Sequence, residues 1–178
     1  MGIPAFGETP AQPPPRPQGL LFDEFAVGQL FQTWARTLTE SDVVGFAGLS
    51  GDFNPLHVDE ALAAGTAFRG RIAHGLLIEA IASGLAMQMG LFHGTIAALV
   101  EMAIGYRLPV RVGDTIRMRL TVVEREADPS PRRGWVVFRT EVMNQRDEVV
   151  LDGSWKVIVQ RRRRQERGVA RAPGQGGE

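Results

Sequence analysis

Gly75 to Gly90, GLLIEAIASGLAMQMG, restricts the fold more than any other stretch of the chain. Between its end glycines only Glu79, Ser83 and Gln88 are polar. A helix apolar on nearly every side has to be buried on most of them. Leu77, Ala80, Ile81, Gly84 and Leu85 make the expected contact stripe, with Gly84 allowing a sheet to come close. One short helix cannot be buried by loops alone, so a sheet must wrap it.

That sheet is legible downstream, where the period changes from helical to alternating. In TIRMRLTVV, Ile116, Met118, Leu120 and Val122 share one face and Arg117, Arg119 and Thr121 the other. Trp135 to Val142 alternates as well, NQRDE reads as a turn, and Val149 to Val159 is a further strand. Its inner face is expected to carry Val149, Leu151, Trp155, Val157 and Val159. Thr95 to Arg107 is a long strand stopped at Pro109, with VRVGD turning into the next. The first half supplies one strand, Gln29 to Thr37, and a helix from Thr39 with Asp42 three residues on, a relative of the capping box. Val43, Val44, Phe46, Ala47 and Leu49 give that helix its apolar stripe, and Ser50-Gly51 ends it. Asp59 caps a second short helix closed by Gly65. The expected architecture is α+β: a strongly curved antiparallel sheet around a central helix. An open sheet leaves edges, and pairing with a second copy through the sheet is the usual remedy.

Outside roughly 20–160 the composition changes. Residues 1–19 are proline-rich and read as a flexible arm; residues 161–178 open with four consecutive arginines and read as a flexible, solvated tail. The formal net charge is zero, which gives no overall case for nucleic acid or an anionic membrane. Absence of cysteine excludes disulfides, thiolate metal sites and a cysteine nucleophile, and fits a cytoplasmic protein. No apolar run reaches the ~18 residues of a membrane span.

The chemistry concentrates in Leu49 to Ala63, LSGDFNPLHVDEALA. Asp52 and His57 flank an Asn54-Pro55 corner, and proline holds Asn54 extended. A fixed loop aims a carboxylate and an imidazole at one small volume. Such a pair holds a water and moves protons both ways. Asn54 bonds within its own loop and keeps the curve. One aspartate and one histidine are too few ligands for a closed metal site, so no metal is expected. Gly75 opens the buried helix, and its N–H is an unsatisfied donor at the positive end of the dipole. A donor of that kind suits an oxygen that turns negative during a reaction. Acid/base pair plus oxyanion donor is a constellation for forming an enolate.

The run F-x-x-L-S-G-D-x-N-P-L-H, Phe46 through His57, resembles the signature of the MaoC-like dehydratases, the (R)-specific enoyl-CoA hydratase family. The resemblance continues through Ile72-Ala73-His74-Gly75, Leu108-Pro109-Val110 and Gly113-Asp114, and so covers roughly 25–160. It implies the hotdog fold, the same wrapped helix. It also implies that Asp52 and His57 activate the water, that Gly75 N–H polarises a thioester carbonyl, that Ser83 hydrogen-bonds Asp52, and that Asn54 supports the pair. The implied reaction is (R)-specific hydration of a trans-2-enoyl thioester of coenzyme A or acyl carrier protein, or the reverse dehydration, with no cofactor, by a homodimer or larger homo-oligomer. Two other readings stand beside it: a hydratase for branched or dicarboxylic (mesaconyl-type) acyl-CoA, which a basic residue in the acyl pocket would favour, and a non-catalytic thioester-binding subunit, which the intact Asp52/His57 pair argues against. Arg69 and Arg71 either meet coenzyme A phosphates or are simply exposed. His74 is a helix-start or supporting residue, and His93 a loop residue. Met87, Met89 and Met102 read as core packing, and Glu101 as an interface residue.

Overall fold

The computed structural model describes residues 19–127 and 132–162. The expected arm, apart from Gly19, and the expected tail beyond Arg162 lie outside them.

The chain enters through a 3-10 turn, Phe22–Glu24, then β1 (Leu30–Gln32) and β2 (Arg36–Thr37). Four helices follow: α1 (Glu40–Ser50), α2 (Pro55–Val58), α3 (Glu60–Ala64) and α4 (Gly75–Gln88). The long strands β3 (Ile96–Tyr106), β4 (Thr115–Ala127), β5 (Arg133–Met143) and β6 (Val149–Gln160) complete the fold. All pairings are antiparallel, in the order β1-β4-β5-β6-β3, with β2 also on β4. The expected first strand is thus broken in two: Thr33 N–H still donates to the carbonyl of Met118, but the return bond from Met118 N–H goes to Thr33 Oγ1, which in turn donates to the carbonyl of Trp34.

The sheet curves around α4. Ile116, Met118, Leu120 and Val122 of β4 are buried as their alternation requires, and with Val136, Phe138, Trp155 and Val157 they face Leu77, Ile78, Ile81, Ala82, Leu85 and Ala86 of α4 in one core. The contact stripe of α4 therefore lies one step round the helix from the expected one. Ala80 and Gly84 face out, with Leu76 and Met87, and buried Glu79 takes a place inside. On β6 a register shift opposite Val142/Met143 moves burial to Val150 as well as Leu151. In α1, Val43 and Ala47 are buried whereas Val44 and Leu49 are exposed. Met87 and Met102 are exposed rather than core; Met89 packs against the core. No helix among the described residues is long and apolar enough to cross a membrane.

Candidate active site

The loop that carries the motif begins where α1 stops. Thr39 and Asp42 form a reciprocal capping box at its start, and Gly51, at φ 76°, ends it in the left-handed conformation that favours glycine. Ser50 Oγ accepts from Asp52 N–H, and Asp52 Oδ1 accepts from Asn54 N–H, both at 3.2 Å. Asn54 then caps α2: its Oδ1 accepts from Leu56 N–H at 3.0 Å, and Pro55 occupies the first helical position, where no N–H is needed. His57 consequently stands on a helical turn rather than in an irregular loop. Asp59 caps α3 through Leu62 N–H, as its sequence position suggests.

Ile72 to Gly75 is sewn in beside this loop. Ile72 N–H donates to the carbonyl of Leu56 and Ala73 N–H to that of Val110. His57 Nδ1 lies 2.8 Å from the carbonyl of Ile72. That contact places the ring proton on Nδ1 and leaves the Nε2 lone pair free to accept. Gly75 is the first residue of α4, so its N–H has no partner within the helix. A Cβ at this position would come within 2.7 Å of Tyr106 Cζ and nearer still to Cε1, so only glycine fits beneath that ring.

Asp52, His57, His74, Gly75 and Tyr106 line one cavity of about 610 Å³, walled mainly by apolar groups such as Phe68 and Leu108. That size suits a small organic ligand. Asp52 is exposed, His57 is nearly buried at 9% and His74 is buried at 2%. The structure thus brings together four of the residues singled out in the sequence: Asp52, Asn54, His57 and Gly75. His74 joins them. Asp52, His57 and His74 each offer one ligand atom, all within 4.8 Å of one another, so the donor set is larger than the sequence suggested. The signal for His74 was its place next to Gly75; its burial was not legible.

Two expected residues stand apart. Ser83 lies eight positions along α4 from Gly75, about 12 Å at the rise of a helix. It does not line the cavity, and no hydrogen bond joins it to Asp52 among the described residues. Arg71 is committed elsewhere. Its guanidinium donates to both carboxylate oxygens of Glu40, at 2.7 and 3.1 Å, and to Glu60 at 3.2 Å. Those bonds hold the Glu40 carboxyl below its ordinary range. Arg71 therefore ties α1 to α3 and is not free for a phosphate. Arg69 is exposed, has a positive φ of 55°, and follows cavity-lining Phe68.

Comparison with known proteins agrees with this geometry. The family model described as MaoC like domain matches residues 24–140. The chain is 37% identical over 140 residues to the 3-hydroxybutyryl-CoA dehydratase of Methylorubrum extorquens, covering 79% of this chain and 84% of that protein. It is 37% identical over 138 residues to the (R)-specific enoyl-CoA hydratase of Rhodospirillum rubrum, covering 78% and 90%. The crystal structure of the MaoC-like dehydratase from Rhodospirillum rubrum superposes with a TM-score of 0.75 at 31% identity, over 81% of this chain and 99% of that one. A Mycobacterium tuberculosis protein with a double hotdog fold shares the architecture at a TM-score of 0.74 and 24% identity, over 90% of this chain and 53% of that one. With its six-stranded antiparallel sheet curved around one long helix, the chain belongs to the MaoC-like dehydratase family and has the hotdog fold.

Proposed function

We propose that this protein is a hydro-lyase that adds water to trans-2-enoyl thioesters, forming (R)-3-hydroxyacyl thioesters, and that it runs the reverse dehydration. The observation that carries the proposal is the meeting of Asp52, His57 and the Gly75 N–H in one largely apolar cavity. The thioester carbonyl lies against Gly75 N–H. A water is held between Asp52 and His57. His57 Nε2, its lone pair kept free by the Nδ1 contact with Ile72, takes a proton as the water oxygen bonds to C3. The C2–C3 π electrons move toward the thioester, and the charge reaching its oxygen is met by the helix start. A proton returned to C2 completes the addition. Water supplies both added groups, so the reaction needs no cofactor and no metal. The Asp52, His57 and His74 donor set would nevertheless accept a divalent ion, which makes a chelator test informative.

Arg107 lines the cavity, the feature that would favour a dicarboxylic substrate. Its guanidinium is 2.8 Å from Asp152, however, so its charge is already matched. An unsubstituted acyl chain is the better reading. Arg69, exposed beside cavity-lining Phe68 and in no carboxylate pair among the described residues, is our candidate for coenzyme A phosphates; the Arg111 guanidinium is taken up by the carbonyls of Phe68 and Arg71. The working unit is a homodimer or a larger homo-oligomer. Among the described residues β3 pairs only with β6 and its other edge has no strand partner, with Leu99, Val100 and Met102 exposed. We place the activity in the cytoplasm.

The test is incubation with crotonyl-CoA and chiral analysis of the product. (R)-3-hydroxybutyryl-CoA supports the proposal; the (S) product, or none from straight, branched and dicarboxylic enoyl-CoA alike, overturns it. In the last case the non-catalytic subunit becomes the better reading.

A further inference from the structure

His74 is 98% buried by its 2% exposure, yet its Nδ1 has no hydrogen-bond partner among the described residues. A buried acceptor left unpaired is destabilising, and such groups persist where they serve something else. What His74 serves is visible on its other side. Its Nε2 is 2.9 Å from the main-chain carbonyl of Asp52. Its ring lies on that of His57, with centroids 3.8 Å apart and planes 31° apart, and Phe46 meets it at 5.1 Å. Although it precedes α4, its side chain does not cap the helix.

We infer that His74 is the positioning residue of the site. One imidazole holds the Asp52 main chain by a hydrogen bond and the His57 ring by stacking. The residue next in sequence carries the oxyanion donor, Gly75. The spacing between the water-activating pair and the carbonyl-binding N–H is thus set through a single side chain. The carbonyl of Asp52 requires the His74 proton on Nε2, which accounts for the bare Nδ1. Catalytic groups need placement to within about 0.5 Å, so loss of this clamp acts on turnover rather than on binding.

This inference rests on the hydratase reading above. The test measures kcat and KM for crotonyl-CoA in wild type, His74→Phe, His74→Gln and His74→Ala, with thermal melting of each. His74→Phe keeps a ring for stacking and loses the donor. His74→Gln keeps an N–H near the place of Nε2 and loses the stack. The expected result is a fall in kcat of about tenfold to a hundredfold for Phe, a smaller fall for Gln and the largest for Ala, with KM within threefold throughout. If the Phe or Ala variant fails to fold, the Gln variant against wild type still decides, because its kcat must fall while KM holds; if the Gln variant fails, the Phe and Ala variants decide by the same criterion. A folded Ala or Phe variant with kcat within threefold of wild type, a Gln variant no better than Phe, or a loss carried by KM would overturn the inference. A wild type without hydratase activity would instead overturn the functional reading on which it rests.

Discussion

Replacing Gly75 by alanine drives a methyl group into the ring of Tyr106. The new Cβ would stand 2.7 Å from Tyr106 Cζ, whereas apolar carbons settle at about 3.5–4.0 Å. At least about 0.8 Å has to open. An oxyanion donor works only within about 2.7–3.1 Å of the oxygen it serves, a window narrower than that displacement. If the start of α4 yields, the N–H leaves its place. If Tyr106 yields, its ring, 56% exposed at the cavity mouth, moves within the space the thioester needs. Either way kcat for crotonyl-CoA should fall about 10²- to 10³-fold, the ~2.7–4 kcal/mol that one such donor supplies. Melting should change little, because the crowded partner is an exposed side chain. The double variant Gly75→Ala/Tyr106→Ala separates the causes: with the ring gone the N–H returns, and the double should lie within about tenfold of Tyr106→Ala alone. The assay is the loss of enoyl-thioester absorbance at saturating substrate. Gly75→Ala within threefold of wild type would refute the role of the N–H, and a double variant as poor as Gly75→Ala would refute crowding as the cause.

Three further outcomes follow from the structure. Burial raises the Glu79 carboxyl above its ordinary range, against a smaller lowering by the Trp155 N–H that it accepts at 2.8 Å. The folded chain then keeps a proton that the unfolded chain releases, so this stability is complete below the unfolded pKa and is lost as pH rises through the folded one. Glu79→Gln keeps the acceptor and removes the titration. Its unfolding free energy should fall less steeply with rising pH, by at most about 1.4 kcal/mol per pH unit in that window; an identical slope in denaturant titrations would contradict it. Arg69→Ala should raise KM about tenfold for crotonyl-CoA but not for a crotonyl thioester of N-acetylcysteamine, which has no phosphates, whereas Arg71→Ala should lower the melting temperature and leave that KM ratio alone. Dialysis against a chelator should leave hydration unchanged, and restoration of lost activity by one particular divalent ion would reverse the no-metal reading.

Local patterns were legible where one segment settles its own conformation. The Thr39/Asp42 box, the Asp59 cap, the turn around Gln145 and the period-two face of β4 depend on neighbours a few residues away, and they stand as read, whereas the Asn54 cap of a helical turn was not anticipated. The turn of the Asp52–His57 loop belongs with them, since the bonds that shape it run between Ser50, Asp52, Asn54 and Leu56; the contact that holds His57 to Ile72 does not. What escaped depends on distant partners. The face of α4 that meets the sheet is set partly by a Glu79–Trp155 bond across 76 positions, which puts a carboxylate where periodicity wants an apolar group. Arg71 looks free in sequence because its carboxylates are Glu60, eleven positions back, and Glu40, on another helix. The burial of His74 arises from a contact with Asp52, 22 residues away. Leu76, Ala80 and Met87, apolar in a helix that reads as buried on most sides, are uncovered in a single copy of the chain, as are Leu99 and Met102 on β3. A sequence reports that such residues need cover but not whether the cover is the same chain or another copy.

In the proposed reaction Asp52 and His57 turn a bound water into the nucleophile for an enoyl thioester. The most direct measurement follows enoyl absorbance when wild type and Asp52→Asn each meet crotonyl-CoA, with the fold of both checked by melting. Wild type should consume the enoyl thioester rapidly, and a folded Asp52→Asn should be at least about 10³-fold slower. Wild-type activity matched by Asp52→Asn would contradict it.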